Sequence, residues 1–358
     1  MEREYYYSKD GTKVMVVASI GELESIVERM DRFKYKYDHM LVIGNGFDLN
    51  LGLRTTYRDF VNSCIFKRLY VNRMEEKTSN GKPIPSLIDY LYGKKFIEKW
   101  YDIEQALIEY VTIRADGSYV NNVDEDKKDY ELLCSALIKY LVSLFKSGDD
   151  LKQSEMMRES SAGLLLQTLS SDRNVIYSFN YTPIELILKA IYADSSMKPL
   201  RVHGNIEEQT IFKGNIKDNA IILGIETDNI GIIAPGYSFL LKSNNPSYKS
   251  TNIASDLLKT KHVIFFGHSF NQMDFGYFRE YFRVMTSNVD RERKITIFTK
   301  DEISRVALLD NLRVSGISVR DIYAHTNIDI ILTDDLNKQG TESNRHFGEL
   351  LKEIKNDR

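Results

Sequence analysis

The chain has 358 residues, of which 42% are hydrophobic and 28% are charged, with a formal net charge of -3. This length indicates one large α/β core, or such a core with a helical insert. The near-neutral charge excludes a global basic field for nucleic acid or anionic lipid, and no uncharged apolar run approaches the roughly 18 residues of a membrane span.

The first 37 residues predict a small N-terminal unit ahead of the core. Residues 1–18 predict a short strand or hairpin around KVMVVA, and Ser19 with Glu22 forms a capping box that begins a helix to about Tyr37. The opening segment MEREYYYSKDG has no apolar signal-peptide region. We therefore expect a cytoplasmic protein.

Short apolar runs that alternate with helix-like segments predict an α/β fold with an open, mainly parallel sheet. The core is expected at 38–60 and again at 172–335, with the runs HMLVIG, NVIYSF, LRVHG, AIILGI, HVIFFG, KITIF and IDIILT. Helical periodicity dominates residues 61–171 and predicts a helical insert after the first βα unit. Residues 336–358 predict a C-terminal helix, and the Gly-, Pro-, Asn- and Ser-rich stretch 225–250 predicts a lid loop.

The segment LVIGNGFDLNLGLRTTY, residues 41–57, predicts a strand, a glycine loop and a helix start. Gly44 and Gly46 stand where the strand ends, where missing side chains permit a tight turn and close approach to a pyrophosphate. Leu49 takes the place of the third glycine of a GxGxxG motif, so a purely structural turn explains the two glycines equally well.

Four later apolar runs also end in polar residues or glycine. These endings are SFNYT (178–182), HGN (203–205), GIE (224–226) and GHSFNQMD (267–274). Because the carboxyl ends of parallel strands share one edge of a sheet, we expect all five endings to meet there. Such a gathering indicates a ligand site rather than turn chemistry alone.

These motifs carry a family resemblance. The segments IGNGFDLNLGLRTTYRDF, WYDIE, FNYT, VHGN and FGHSFNQMDFGYF resemble the AbiH family of bacteriophage abortive-infection proteins over most of residues 40–280. The resemblance implies a phage-defence effector. It leaves a phage-derived trigger and homo-oligomerisation open.

A more distant similarity is to sirtuins. Gly44, Gly46 and Gly52 have the spacing of the sirtuin phosphate loop, and SFNY, VHG and GHS resemble later sirtuin motifs in the same order. This resemblance implies a sirtuin-like Rossmann core that binds NAD or a related nucleotide as ligand or substrate, with no prosthetic group. The nucleotide-binding residues that it implies are Gly44, Asn45, Gly46, Phe47, Gly52, Tyr181, Gly204, Gly267, His268 and Ser269.

The chain departs from sirtuins in ways that argue against protein deacetylation. A four-cysteine zinc module has no counterpart, because the chain has only Cys64 and Cys134 and neither belongs to a CxxC pair. Leu53, Arg54 and Thr55 follow the third glycine in place of the sirtuin proline and arginine, and Asp48 replaces a serine. The sirtuin-like proteins of phage defence often hydrolyse NAD instead, and no metal site is expected.

Cleavage of the nicotinamide–ribose bond requires groups that hold the ribose, orient a water molecule and accept a proton. Asn180 suits the first two tasks because its amide both donates and accepts, and His203 suits the third. Each has a structural alternative. Asn180 could cap the helix near Pro183, and His203 could be a satisfied histidine at a strand end.

Asp48 and Glu104 are candidate carboxylates of the same site. Asp48 could instead complement a helix dipole, and Glu104 is more simply explained as a solvated residue beside the apolar stripe of its helix. Asp274 follows Asn271 by three positions, so helix capping is its leading interpretation.

Two other functions remain open. The same pocket could serve a non-catalytic nucleotide sensor that gates association with a partner. A nucleic-acid processing enzyme is disfavoured by the net charge of -3 and by the lack of a carboxylate metal cluster. A serine hydrolase is disfavoured because Ser269 lies in GHSFN rather than GxSxG.

Overall fold

The computed structural model describes a large part of the chain. The described residues are 5–7, 13–15, 34–79, 86–94, 103–115, 123–145, 150–169, 172–191, 199–204, 206, 221–226, 236–246, 248 and 251–357. The body of the helix predicted from Ser19, part of the predicted lid loop and Asn205 of the HGN motif lie outside them.

Six parallel strands form the central sheet, which confirms the predicted α/β class. They are β3 (Tyr37–Ile43), β4 (Asn174–Ser178), β5 (Leu200–Arg201), β6 (Thr260–Phe266), β7 (Asp290–Thr299) and β8 (Thr326–Leu332). Two short strands before them, β1 (Tyr5–Tyr7) and β2 (Lys13–Met15), pair antiparallel as the predicted hairpin.

The order of strands across the sheet is β5-β4-β3-β6-β7-β8. Counted from the first strand of the core, this is 3-2-1-4-5-6, the order of Rossmann-type dinucleotide-binding sheets. The order in which successive strands are added to the sheet reverses between β3 and β6. This reversal creates a crevice at the carboxyl ends of these two strands.

Helices cover both faces of the sheet, as the apolar runs require. Met40 and Val42 face one side of the sheet, whereas Leu41 and Ile43 face the other, and each pair belongs to a separate hydrophobic cluster with the helices on its side. The helices of the core are α1 (Asn45–Asn50), α9 (Ile184–Ala190), α10 (Ile253–Leu257), α11 (Arg279–Ser287), α12 (Glu302–Val314), α13 (Val319–His325) and α14 (Glu342–Asn356).

The described residues between α1 and β4 are helical, as predicted for an insert. The helices are α2 (Tyr57–Asn62), α3 (Cys64–Ser79), α4 (Leu87–Lys94), α5 (Ile103–Ala115), α6 (Val123–Ser143), α7 (Asp150–Glu159) and α8 (Ser161–Thr168). Helices α2 to α6 share a hydrophobic cluster of their own. The predicted domain boundaries stay a prediction. No described helix is long and apolar enough to cross a membrane.

The predicted strand AIILGI is wrong, because this segment does not join the sheet. Gly204 and Ile221 form one isolated antiparallel bridge, and Ile225 and Leu241 form one parallel bridge. Ile221, Leu223 and Ile225 are buried against the insert helices. An apolar run of this length does not distinguish a sheet strand from a buried loop, which explains the error.

The loops after β3 and β6 touch through their glycines. Gly267 has a φ of 66°, and a Cβ placed on it would lie 2.4 Å from the Cα of Gly46. A Cβ on Gly44 would lie 2.6 Å from the carbonyl oxygen of Gly267. The Gly46 amide donates to that oxygen at 3.0 Å. Both loops are therefore held at a separation that only glycine permits.

Gly267→Ala should destabilise the protein by about 2 kcal/mol or more, because the new methyl group meets backbone atoms and the left-handed conformation is strained. The measurement is urea unfolding. A matched control is Gly348→Ala within α14, where a Cβ meets nothing within 4 Å. It should be neutral or stabilise by about 0.5–1 kcal/mol through helix propensity. Equal stability of the two variants would contradict the proposed role of Gly267.

Candidate functional site

A cavity of about 320 Å³ lies at the carboxyl edge of the sheet, where the strand order reverses. Its volume is in the lower part of the range for small-molecule sites. Its lining residues come from the ends of the strands and from the insert: Gly44, Asn45, Asp48, Thr55, Tyr57, Glu104, Leu137, Leu141, Phe179, Asn180, Tyr181, Thr182, His203, Gly267, His268, Ser269, Asn271 and Asp274.

The parallel sheet explains how distant motifs meet. Asn45 and Asp48 follow β3, Asn180 and Tyr181 follow β4, and His203 follows β5. His268 and Ser269 follow β6, together with Gly267. Four of the five predicted strand endings therefore contribute to one cavity, whereas the GIE segment does not line it.

Four predicted nucleotide-binding residues lie outside the cavity wall and have structural roles. The Gly46 amide donates a hydrogen bond to Gly267 O. Phe47 is fully buried against Phe266, and its amide donates a hydrogen bond to Gly44 O. Gly52 (φ 81°) and Gly204 (φ 80°) occupy left-handed turn positions. Of the two glycine loops, Gly44, Asn45, Gly267, His268 and Ser269 line the cavity. Phosphate binding by these loops stays a prediction.

Lys242 is a site residue that the sequence did not indicate. Its side chain is fully buried, and its ammonium lies 3.2 Å from a carboxylate oxygen of Glu104 and 3.4 Å from Oδ1 of Asp274. Burial alone would lower its pKa, but Glu104 and Asp274 outweigh burial and raise it above the ordinary value. Glu104 is therefore a buried ion-pair partner in the cavity wall rather than a solvated helix residue.

The predicted capping role of Asp274 is wrong. Asn271 Oδ1 accepts the hydrogen bond from the Asp274 amide, and the Asp274 carboxylate lies 3.2 Å from His203 Nε2. Burial opposes ionisation of Asp274, but Lys242 and His203 outweigh it and hold its pKa well below the ordinary range. Asp274 therefore orients the His203 ring as an anionic acceptor.

Both cavity histidines are neutral at pH 7. Burial lowers the pKa of His203, and Lys242 lowers it further. Burial also lowers the pKa of His268 to about 4, and its Nδ1 accepts a hydrogen bond from the Phe270 amide. Phe179 packs edge-on against both rings. His203 Nε2 lies 3.2 Å from Asp274 Oδ1 and 3.5 Å from the Lys242 ammonium. In the tautomer that carries its hydrogen on Nε2, this hydrogen is donated to Asp274 and Nδ1 is the basic nitrogen.

Asp48 is a deeply buried carboxyl group of the cavity wall. Its Oδ2 accepts a hydrogen bond from Thr182 Oγ1 at 2.8 Å, whereas Oδ1 has no hydrogen-bond partner among the described residues. Burial raises its pKa to about 7, although hydrogen bonds from Thr182 and Asn180 act in the opposite direction. Asn180 also donates to Gly44 O at 3.0 Å. Asp48 can therefore exchange a proton near neutral pH.

A known family model matches most of the chain. The family model described as bacteriophage abortive infection AbiH matches residues 40–298, which is more than half of the chain and includes every cavity residue named above. The chain belongs to the AbiH family. No curated protein and no solved structure gave a significant match.

Membership of the AbiH family places this chain among the abortive-infection proteins of phage defence. The matched range begins at Met40, within β3, and ends at Phe298, within β7. It therefore contains the strand-order reversal and the whole insert, whereas β8 and α14 lie beyond it.

In this AbiH-family protein, Lys242→Met should lower the free energy of unfolding at pH 7 by about 3–5 kcal/mol, because two buried carboxylates lose their cation. Adding Glu104→Gln should restore part of the loss by removing one of the unpaired charges. Chemical unfolding measures both effects. Lys338→Met, at a position with a 65% exposed side chain, is the matched control and should change stability by less than about 0.5 kcal/mol. A Lys242→Met protein as stable as the parent would refute the ion-pair account.

The stability of Asp48→Asn relative to the parent protein should increase as the pH rises from about 4 to 7. In this window the unfolded carboxyl, with a pKa near 3.8, releases its proton, whereas the folded carboxyl keeps it until about pH 7. The parent therefore loses stability with rising pH, by up to about 1.4 kcal/mol per pH unit, and asparagine removes this loss. Urea unfolding at pH 5 and pH 7.5 tests it. Thr182→Val removes a hydrogen bond that lowers the Asp48 pKa and should therefore extend the loss to higher pH. Parallel curves for the parent and Asp48→Asn would contradict the assignment.

Proposed function

We propose that the cavity binds NAD or a related nucleotide and hydrolyses the N-glycosidic bond to its ribose, as the effector reaction of phage defence. The observation that carries this proposal is the position of His203, Asn180 and Asp48 in one cavity at the strand-order reversal. In sheets with this order, dinucleotides bind at that crevice.

The proposed binding mode follows from the cavity walls. The phosphates lie against the backbone at Gly44, Asn45 and Gly267, which are the parts of the two glycine loops that line the cavity. The ribose lies beside Asn180, whose amide nitrogen is engaged by the protein and whose carbonyl oxygen accepts from a hydroxyl. A protonated Asp48 adds no negative charge beside the phosphates, because burial raises its pKa to about 7.

The proposed reaction needs one water molecule and one base. The bond between the ribose C1′ and the nicotinamide nitrogen breaks, and its electron pair neutralises the cationic ring as it leaves. The water oxygen forms the new bond to C1′ while His203 Nδ1 accepts the water proton. Asp274 stabilises the resulting imidazolium, because it is an anion 3.2 Å from Nε2.

The buried charges favour an enzyme over a passive binding module. Lys242, Glu104 and Asp274 are ionised beside one cavity, and charged groups in such positions are costly to bury. Perturbed titratable groups that gather in a cleft are typical of catalytic sites. The low pKa of His203 keeps it unprotonated and able to act as a base over the physiological pH range.

Nicotinamide release from NAD by the purified full-length protein tests the proposal. We expect His203→Ala and Asn180→Ala to lower the turnover by about 100-fold or more, since general-base catalysis contributes about 10²–10⁴-fold. His346→Ala changes a histidine on α14, outside the cavity, and should leave turnover unchanged. The NAD content of infected cells that carry each variant extends the test to a phage-derived trigger.

The outcomes separate the competing functions. Equal nicotinamide release by the parent, His203→Ala and Asn180→Ala would refute the residue roles. Saturable stabilisation by NAD without product, both alone and with infected-cell extract, would instead support a nucleotide sensor. Degradation of RNA or DNA that depends on His203 would replace the proposal with a nucleic-acid enzyme.

A further inference from the structure

We propose that His39, His262 and Glu353 form a binding site for Zn²⁺ or a similar divalent transition-metal ion. Each residue offers one ligand atom, and these atoms all lie within 4.8 Å of one another. The site is at the amino ends of β3 and β6. His39 precedes Gly44 by five residues of extended chain, so the cluster lies roughly 16 Å from the cavity and is separate from it.

The sheet register brings the two histidines together. His39 on β3 lies directly opposite His262 on β6, and their ring centroids are 5.5 Å apart. His39 shares a face of the sheet with Leu41 and Ile43, and α14 packs on that face through Leu350 and Ile354. Glu353 on α14 therefore meets both imidazoles from above the sheet.

His39 presents a buried lone pair. Asn174 Nδ2 donates to Leu169 O at 3.1 Å, which directs Asn174 Oδ1 at His39 Nδ1, 3.2 Å away. A carbonyl oxygen accepts, so Nδ1 carries the hydrogen and Nε2 is the unprotonated nitrogen. This Nε2 has no hydrogen-bond partner among the described residues, on a side chain that is about 2% exposed. An unsatisfied nitrogen in this position is costly unless something binds it.

His262 can present its own lone pair toward the same point. Its Nδ1 lies 3.2 Å from Glu353 Oε1, and its Nε2 lies 2.8 Å from Thr296 Oγ1. With the hydrogen on Nε2, Thr296 accepts it and Nδ1 is free to coordinate an ion. No net proton change is needed, because the neutral ring only exchanges one tautomer for the other. Partners on the far ring nitrogen are the usual outer shell of metal-binding histidines.

The carboxylates supply the charge that a dication needs. Lys294 Nζ holds Glu353 Oε2 at 2.9 Å, which leaves Oε1 toward the histidines. Asp357 Oδ2 is 3.6 Å from His39 Nε2 and can become a fourth ligand. The formal charge around the cluster is negative, because three carboxylates (Glu353, Asp357 and Asp329) stand against one ammonium, that of Lys294. Two imidazoles with carboxylate oxygens suit zinc and similar ions better than calcium or magnesium.

A hydrogen bond between His262 and Glu353 is the alternative account of this cluster. It explains the 3.2 Å contact but gives His39 Nε2 no hydrogen-bond partner among the described residues, since Asp357 Oδ2 is 3.6 Å away. Tetrahedral zinc with bonds of about 2.0–2.1 Å separates its ligand atoms by about 3.4 Å. Shifts of about 1 Å in side chains would therefore bring all three atoms to an ion. Such an ion would link α14 to β3 and β6, the two central strands of the sheet.

Zinc titration of the full-length protein, stripped with a chelator and followed by calorimetry and thermal unfolding, tests the proposal. We expect one Zn²⁺ per chain and a thermal midpoint that rises by several degrees at saturating zinc. Glu353→Gln keeps the shape and a hydrogen bond to His262 but should weaken zinc binding at least tenfold. His39→Asn should weaken it at least as much.

His346→Ala is the matched control, because His346 lies on the same helix and 3.4 Å from Asp329 but outside the three-ligand set. It should bind zinc as the parent does. If His39→Asn fails to fold, Glu353→Gln together with the visible spectrum of the Co²⁺-loaded parent, which distinguishes tetrahedral nitrogen–oxygen coordination, decides the question. The proposal is overturned by a parent without stoichiometric zinc, by undiminished binding in Glu353→Gln, or by binding that depends on His346.

Discussion

The ammonium of Lys242 is the buried charge on which the cavity depends. It neutralises Glu104, which belongs to the insert, and Asp274, which follows the central strand β6. Without it, two carboxylates would face each other in a low-dielectric wall. The ion pairs therefore connect the helical insert to the carboxyl edge of the sheet. The same contacts keep Asp274 negatively charged. Through Asp274 they also set the orientation of the His203 ring.

The ionisation states around the cavity form a consistent set. Lys242 and Asp274 keep their charges, whereas burial lowers the pKa values of His203 and His268 and so keeps both rings neutral. Glu104 lies 3.2 Å from the Lys242 ammonium. Asp48 is the group that changes state near pH 7, because burial without a cation raises its pKa. Among the described residues of the cavity wall, Asp48 is therefore the carboxyl group whose ionisation changes the charge of the cavity near pH 7.

Periodicity and turn residues predicted most of the fold, because parallel strands buried on both faces leave strong apolar runs. The apolar runs also predicted that the strand ends gather, because the carboxyl ends of parallel strands lie at the same edge of a sheet. Lys242 was missed since it lies in a polar loop without a motif, and its partners are more than 30 residues distant. Asp274 was misassigned because sequence spacing cannot tell which of two polar residues caps a helix. His39, His262 and Glu353 meet only through sheet register and the docking of α14, neither of which leaves a local pattern.

The contact between the glycine loops after β3 and β6 has a consequence for how this cavity can change. The closest contact between the two loops involves backbone atoms, because a Cβ on Gly44 or Gly267 would overlap the other loop. Asn180 and Asn271 also hold loop backbone through hydrogen bonds. A substitution of the Ser269 side chain, in contrast, leaves the backbone contact in place. The width of this crevice is thus a property of two glycine-containing loops, whereas its chemistry is a property of side chains that single substitutions can change one at a time.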